Sequence, residues 1–276
     1  MHRIVIALAA LSGLGLGLGL GLAGCHHKGP QNPSWTLTDE QTRERWEALR
    51  ADPIEPERPI VYIGGYGMPR SVIGGEARSY TSAVTDEYQR DVLHVGLGGL
   101  ATLEEAADDV VRMVNEKWPP SAEQAEAGET VEVDVIGMST GGVVARLAHL
   151  PDPHGVRDRL MIRRLITIAA PHRGAEFAEF ASNDQMVDDI RPRSLALTKL
   201  QEKLPKAEYE LIPYGVAGDK IVGLRNSAPW GELPIWTQGR ANFSHVLGQD
   251  DARLRLDIAL RLRGEEPILA EDVPLP

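Results

Sequence analysis

The chain has 276 residues, with 29 basic side chains against 40 acidic ones and a formal net charge of −11. An acidic balance of this size argues against nucleic acid or an anionic membrane surface as a partner and favours solubility. With a single cysteine, no intramolecular disulfide is available, so the core itself must hold the fold.

Residues 1–24 read as a targeting segment rather than as part of the fold. Met1, His2 and Arg3 give a short positive start, residues 4–22 are uncharged and largely alternate Gly with Leu, and Leu22-Ala23-Gly24-Cys25 follows. Small residues ahead of a cysteine after an apolar run form a cleavage signature, and this one resembles the lipobox of bacterial lipoproteins. A membrane-spanning helix is the rival reading, because an uncharged run of this length just reaches across a bilayer. Glycine is a poor helix former, and the cysteine stands where a lipobox requires it. The resemblance implies cleavage before Cys25, lipidation of Cys25 and membrane anchoring of an exported chain. His26 follows where an aspartate often retains lipoproteins in the inner membrane, which implies the outer membrane in a two-membrane cell.

Residues 25–58 read as a tether and a short helix. "HHKGPQNPS", residues 26–34, is polar, and its histidine pair is more simply solvated than metal-binding. Thr38 with Gln41 three residues later reads as a capping box, opening a helix to about residue 49. Asp52-Pro53 stops it, and Pro53, Pro56 and Pro59 mark an extended entry to the main domain. Strands are predicted over 60–63 and 91–95. A helix over 102–118 carries Leu103, Ala106, Val110 and Val114 at helical spacing and ends at Pro119-Pro120. Residues 121–129 read as a surface loop. Further strands fall over 131–136, 165–169 and 209–216, and a last helix over 251–263 stripes Leu254, Ile258 and Leu262. Short apolar strands alternating with helices imply an α/β fold, a mostly parallel sheet with helices on both faces. Roughly 250 residues suit one such domain, here 59–265, with 266–276 as a tail.

"VIGMSTGGVVARLAHL", residues 135–150, places Ser139 between an apolar strand and a helically spaced stretch, with Gly137, Gly141 and Gly142 around it. Gly-x-Ser-x-Gly alone arises by chance in many proteins. On a tight strand–helix turn, however, it lifts a nucleophile into a cleft and aims helix N-terminal amides at a developing anion. Ligands of an open parallel sheet bind beyond the carboxyl ends of its strands, and the other suggestive residues lie there too. "GGYGMP" (64–69) follows the first strand, "APHRGA" (170–175) a later one, and Asp219 in "AGDKIV" the next. His245 in "NFSHVL" precedes the last helix. Nucleophile, acid, then base is one of the chain orders of a serine triad.

From about Pro59 to Arg263 these segments resemble the α/β-hydrolase family, specifically its bacterial lipases and lipase-like serine esterases. "VIGMSTGGVVAR" resembles their nucleophile elbow, "IAAPHRGA" their "TPHxGS" segment, and "DDIRPRSLALTKL" the stretch with a proline and serine ahead of spaced leucines. The resemblance implies Ser139 as nucleophile, Asp219 as acid and His245 as base, with the backbone amides of Thr140 and Tyr66 as oxyanion donors. It departs in two places. Gly64 stands where the family usually has the histidine that props the first loop, and Met138 where histidine is common before the serine. His172 belongs to a motif that is structural in the resembling lipases, while His94, His149 and His154 match no motif. Asp184, Asp188 and Asp189 lie in a helical, lid-like region where acidic residues usually face solvent, and Asp134 lies upstream of the elbow. Trp230 and Trp236 either wall an acyl pocket or close the core beneath a long loop.

The resemblance implies a carboxylic ester hydrolase of esterase or lipase type, acting on a lipid or small ester with a neutral or apolar acyl group. It needs no cofactor, and no calcium ligand set or other metal site can be picked out. An acyltransferase, thioesterase, amidase or polyester depolymerase uses the same triad, and a surface lipoprotein that kept the fold without catalysis is the alternative of another class.

Overall fold

A computed structural model describes residues 30–152, 154–179, 184–239, 245 and 251–276. The expectations for residues 1–24, Cys25 and the His26-His27 pair lie outside them. In chain order, helix α1 (Asp39–Ala51) precedes strand β1 (Ile60–Ile63), helix α2 (Arg70–Thr81), strand β2 (Val92–Val95) and helices α3 (Leu103–Lys117) and α4 (Ala122–Ala127). Strand β3 (Val133–Met138), helix α5 (Thr140–His149), strand β4 (Ile162–Ile168) and helices α6 (Gln185–Asp189) and α7 (Leu195–Lys203) follow. Strands β5 (Glu210–Val216) and β6 (Ile235–Thr237) and helix α8 (Ala252–Leu262) complete the series.

The strands form one six-stranded sheet in the order β2-β1-β3-β4-β5-β6, parallel throughout. Successive side chains of a strand face opposite ways, and the sheet is apolar on both faces for that reason. Val61, Ile63, Val133, Val135 and Leu165 pack with Val110 and Val114 of α3 and Val143 and Val144 of α5. Ile60, Tyr62, Ile136, Met138, Ile166 and Ile168 pack on the other side with Ile73 and Ala77 of α2 and Leu254 and Ile258 of α8. The expected architecture, a parallel sheet with helices on both faces, is the observed one.

Three elements depart from expectation. Residues 121–129, expected as loop, contain α4, which buries no side chain and so has no apolar stripe to betray it. Its signal is the reciprocal capping box of Ser121 and Gln124. Helix α2 was not anticipated because Gly74 and Gly75 lie inside it, each costing about 1 kcal/mol relative to alanine. Burial of Ile73, Ala77 and Tyr80, the last stacked on Tyr62 with ring centroids 5.9 Å apart, overrides that cost. Strand β6 has only three residues, too few for a period.

The body also extends past the expected tether and tail. Asn32 is buried and donates to the Trp236 carbonyl at 2.7 Å, and Ser34 Oγ accepts from the Ala270 amide at 3.1 Å. In the tail, the buried Asp257 accepts from the amides of Ile268 (2.6 Å) and Leu269 (2.7 Å). The Pro274 carbonyl takes the indole N–H of Trp236 at 2.9 Å. Polarity marked residues 26–34 as a tether, whereas the Asn32 amide and the backbone groups of the tail are what the body binds. Among the described residues, no helix is long and apolar enough to cross a membrane.

Candidate active site

Strand β3 runs straight into α5 through Ser139, whose φ of 49° and ψ of −124° match neither the extended strand before it nor the helix after it. A non-glycine residue held there stores strain, and it is the surroundings that hold it. The Ser139 amide donates to the Ile168 carbonyl at 2.8 Å, tying the corner to β4. A side chain on Gly141 would strike the Gly64 carbonyl oxygen at 2.6 Å. One on Gly142 would strike Thr167 Cγ2 at 2.9 Å. Gly137 and Gly142 pack directly on each other, so α5 lies against the sheet with no side chain between them. Backbone occupies the space a side chain would need at Gly137 and Gly141, and the side chains of Thr167 and Ala170 occupy it at Gly142.

Asp219 lies just beyond the carboxyl end of β5, its side chain wholly buried. Its Oδ1 accepts from the amides of Ile221 (2.8 Å) and Val222 (3.1 Å), which leaves Oδ2 facing His245 Nδ1 at 2.8 Å. His245 Nε2 lies 3.2 Å from Ser139 Oγ. With a carboxylate on Nδ1, the ring carries its proton there and presents Nε2 as an acceptor toward the serine hydroxyl. The structure thus brings together Ser139, His245 and Asp219, which are 106 and 26 residues apart in the chain.

Thr140 is the first residue of α5, where helical amides have no intrahelical acceptor. The loop after β1 lies against Ser139, since a side chain on Gly65 would come 3.2 Å from Ser139 Cβ. Without the family's histidine, the loop is held by other means. The Gly98 amide donates to the Met68 carbonyl (2.8 Å) and the Met68 amide to that of Gly65 (3.2 Å). Tyr66 donates its hydroxyl to Asp184 Oδ2 at 2.6 Å. Burial first, then this bond and the carboxylate charge, push the Tyr66 hydroxyl up to about 12, so it stays a donor across the working range. Asp184 was expected to face solvent. It instead joins the first loop to α6, whose first turn it also caps through the Met186 amide (3.0 Å). A contact between residues 118 apart leaves no mark in local spacing.

The rival histidines stand elsewhere. His172 is buried between Thr167 Oγ1 (3.0 Å) and the Arg146 guanidinium (3.3 Å). His149 bonds the Leu160 carbonyl (2.9 Å), and His154 is exposed. His94 is half-buried on β2, where burial lowers its pKa. Asp134 sits beside Ile60 at the amino-terminal end of the sheet, paired with Arg58. The tryptophan question is decided for one side chain: Trp236 is buried on β6 and closes the core. Trp230 is 59% exposed, its ring 5.0 Å from the Arg173 guanidinium.

Burial, with Arg146 and Arg173 adding to it, holds His172 well below the ordinary histidine value. The folded chain keeps it neutral while the unfolded chain protonates it below pH ~6.5. The stability it contributes is therefore present above that pH and declines as the pH falls, by up to about 1.4 kcal/mol per pH unit. Urea unfolding at pH 7.5 and 5.5 should show the decline, and in His172→Asn the slope should be smaller by one proton. An unchanged slope would mean that His172 does not carry this dependence.

In the α/β-hydrolases, a serine elbow tops a parallel sheet, its acid and base follow in that chain order, and a second amide comes from an earlier strand's loop. Here Ser139 follows β3, Asp219 follows β5 and His245 follows β6, with the Tyr66 loop after β1. This is the α/β-hydrolase fold. No family model matches the chain, and no curated protein matches it. Among solved structures it is similar to phospholipase PlaB from Legionella pneumophila, at 12% identity over 61% of this chain and 43% of that one, TM-score 0.43. It thus spans less than half of that phospholipase. It is similar to a Bacillus licheniformis lipase in mature form, at 14% identity over 81% and 82% of the two chains, TM-score 0.40. A cutinase-like protein from Cryptococcus matches at 11% identity over 75% and 95%, TM-score 0.36. Among the described residues no group of three or more His, Cys, Asp or Glu side chains is placed to hold a metal ion.

Proposed function

We propose that the chain is a serine hydrolase that cleaves carboxylic esters through an acyl-enzyme on Ser139. The observation that carries this reading is the unbroken chain Asp219–His245–Ser139, at 2.8 and 3.2 Å, at the carboxyl edge of the sheet. His245 Nε2 takes the serine proton as Oγ attacks the ester carbonyl, and Asp219 stabilises the imidazolium. The amides of Thr140 and Tyr66 receive the oxyanion, each such donor being worth about a hundredfold or more in rate. His245 then returns the proton to the leaving alcohol, and water repeats the sequence to free the acid. The lipase-like segments favour an ester with a neutral or apolar acyl group. A fluorophosphonate probe tests the reading: it should label the chain once, at Ser139, and block ester cleavage. No labelling, or labelling elsewhere, would turn the reading toward a non-catalytic scaffold.

The same reading places the enzyme on a membrane through lipid on Cys25, the outer membrane in a two-membrane cell. Two or more acyl chains give stable anchoring. Since Asn32 is already fixed to the body, the seven chain steps from Cys25 span at most about 25 Å, which would keep the body close to the lipid. Cys25→Ser is expected to abolish lipid incorporation in cells. A chain starting at residue 30, which retains the Asn32 contact, should keep its activity on soluble esters. An unmodified Cys25 on the exported protein, read by mass spectrometry, would sink the anchor.

A further inference from the structure

A cavity of about 610 Å3 opens along the outer side of α5, between the start of α3 and the α6–α7 segment. Neither Ser139, Asp219 nor His245 lines it. Its volume lies in the range of ligand sites, and its floor is apolar as such sites are, with Val143, Leu147 and Leu200 along it. Leu195 stands at its edge, 69% exposed as the first residue of α7.

The charges around the cavity are unevenly engaged. Its carboxylates all have partners: Glu104 meets Arg157 at 3.5 Å, Asp188 meets Arg191 at 2.9 Å, and Asp189 takes the Gln185 amide at 2.8 Å. Its cations Arg193, Lys199 and Lys203 have none among the described residues. Three positive charges with no partner among the described residues line one cavity of a chain whose net charge is −11. Arg193 also sits at φ 63°, a left-handed conformation that a long side chain adopts at a cost. Such strain, seen beside a cavity, points to a functional position.

We propose that this cavity is a second binding site, taking a single-chain amphiphile with an anionic head. The alkyl chain lies on Val143, Leu147 and Leu200, and the head meets Arg193, Lys199 and Lys203. Chain burial provides affinity, and the cations select the sign of the head. The site stands apart from the ester-hydrolase reading, because it shares no residue with the triad.

The test titrates the full chain carrying Ser139→Ala, so that no turnover intervenes, with dodecanoate, dodecyl phosphate and dodecyltrimethylammonium below their micelle concentrations. Calorimetry should show one saturable site for the two anions and at least tenfold weaker binding of the cation. Preference between carboxylate and phosphate then identifies the head. Arg193→Glu combined with Lys199→Glu should weaken the anions at least tenfold, and Leu147→Trp should fill the floor and abolish chain binding. Both residues of the charge-reversed pair are exposed, so its melting temperature and, with Ser139 restored, its cleavage of a short soluble ester should be unchanged. Equal affinity for all three heads, or a charge-reversed variant that binds as before, would overturn the proposal. So would sedimentation with phosphatidylglycerol vesicles in the absence of any saturable site for the soluble chains.

Discussion

Ser139→Ala should lower ester cleavage by about 10⁶-fold, since removing the nucleophile of a cooperating triad costs about as much as removing the whole set. The fold should survive it. Among the described residues Ser139 Oγ has one polar partner, His245 Nε2, and the corner is held by backbone contacts that alanine keeps. The strain at φ 49° is the same for alanine as for serine, whereas glycine adopts positive φ freely. Ser139→Gly should therefore be equally inactive and more stable than Ser139→Ala by about 1 kcal/mol, read from denaturant midpoints. Residual turnover near wild type in either variant would dismiss Ser139 as nucleophile. Equal stability of the two would dismiss strain at the elbow.

The sheet was legible because strands buried on both faces read as apolar runs, and the elbow because its glycines answer to close packing against the end of β1, against each other and against Thr167 of β4 rather than to loop flexibility. Ser139, Asp219 and His245 could be assembled because a parallel sheet brings the ends of distant strands to one edge. What stayed hidden depends on contacts that no local pattern encodes. Asp184 reads as one more acid on a polar segment, yet it receives the Tyr66 hydroxyl. Asn32 reads as part of a tether, yet it is buried against Trp236. Trp230 and Trp236 are six positions apart in a Pro-rich stretch, and only the strand β6 decides that one is core and the other surface. The cavity beside α5 was equally invisible, because the leucines at its floor and the leucines of a packed core obey the same spacing.

Asp219→Asn separates the acid from the rest of the site with almost no change of shape. In the native chain the two carboxylate oxygens have different tasks, Oδ1 taking the Ile221 and Val222 amides and Oδ2 taking His245 Nδ1. An asparagine amide has one oxygen, and two backbone N–H groups claim it, since turning the NH₂ toward them would set donor against donor. The NH₂ must then face His245 Nδ1, which can only accept. That drives the imidazole proton to Nε2, and a protonated Nε2 cannot take the proton from Ser139. The loss should be ~10⁴-fold in turnover with substrate binding retained. Nitrogen chemical shifts of His245 should show the proton moved from Nδ1 to Nε2. Near wild-type turnover would mean that another carboxylate serves the imidazole. The acids of α6 and its cap offer poor substitutes, because Asp184 is committed to Tyr66 and Asp188 to Arg191.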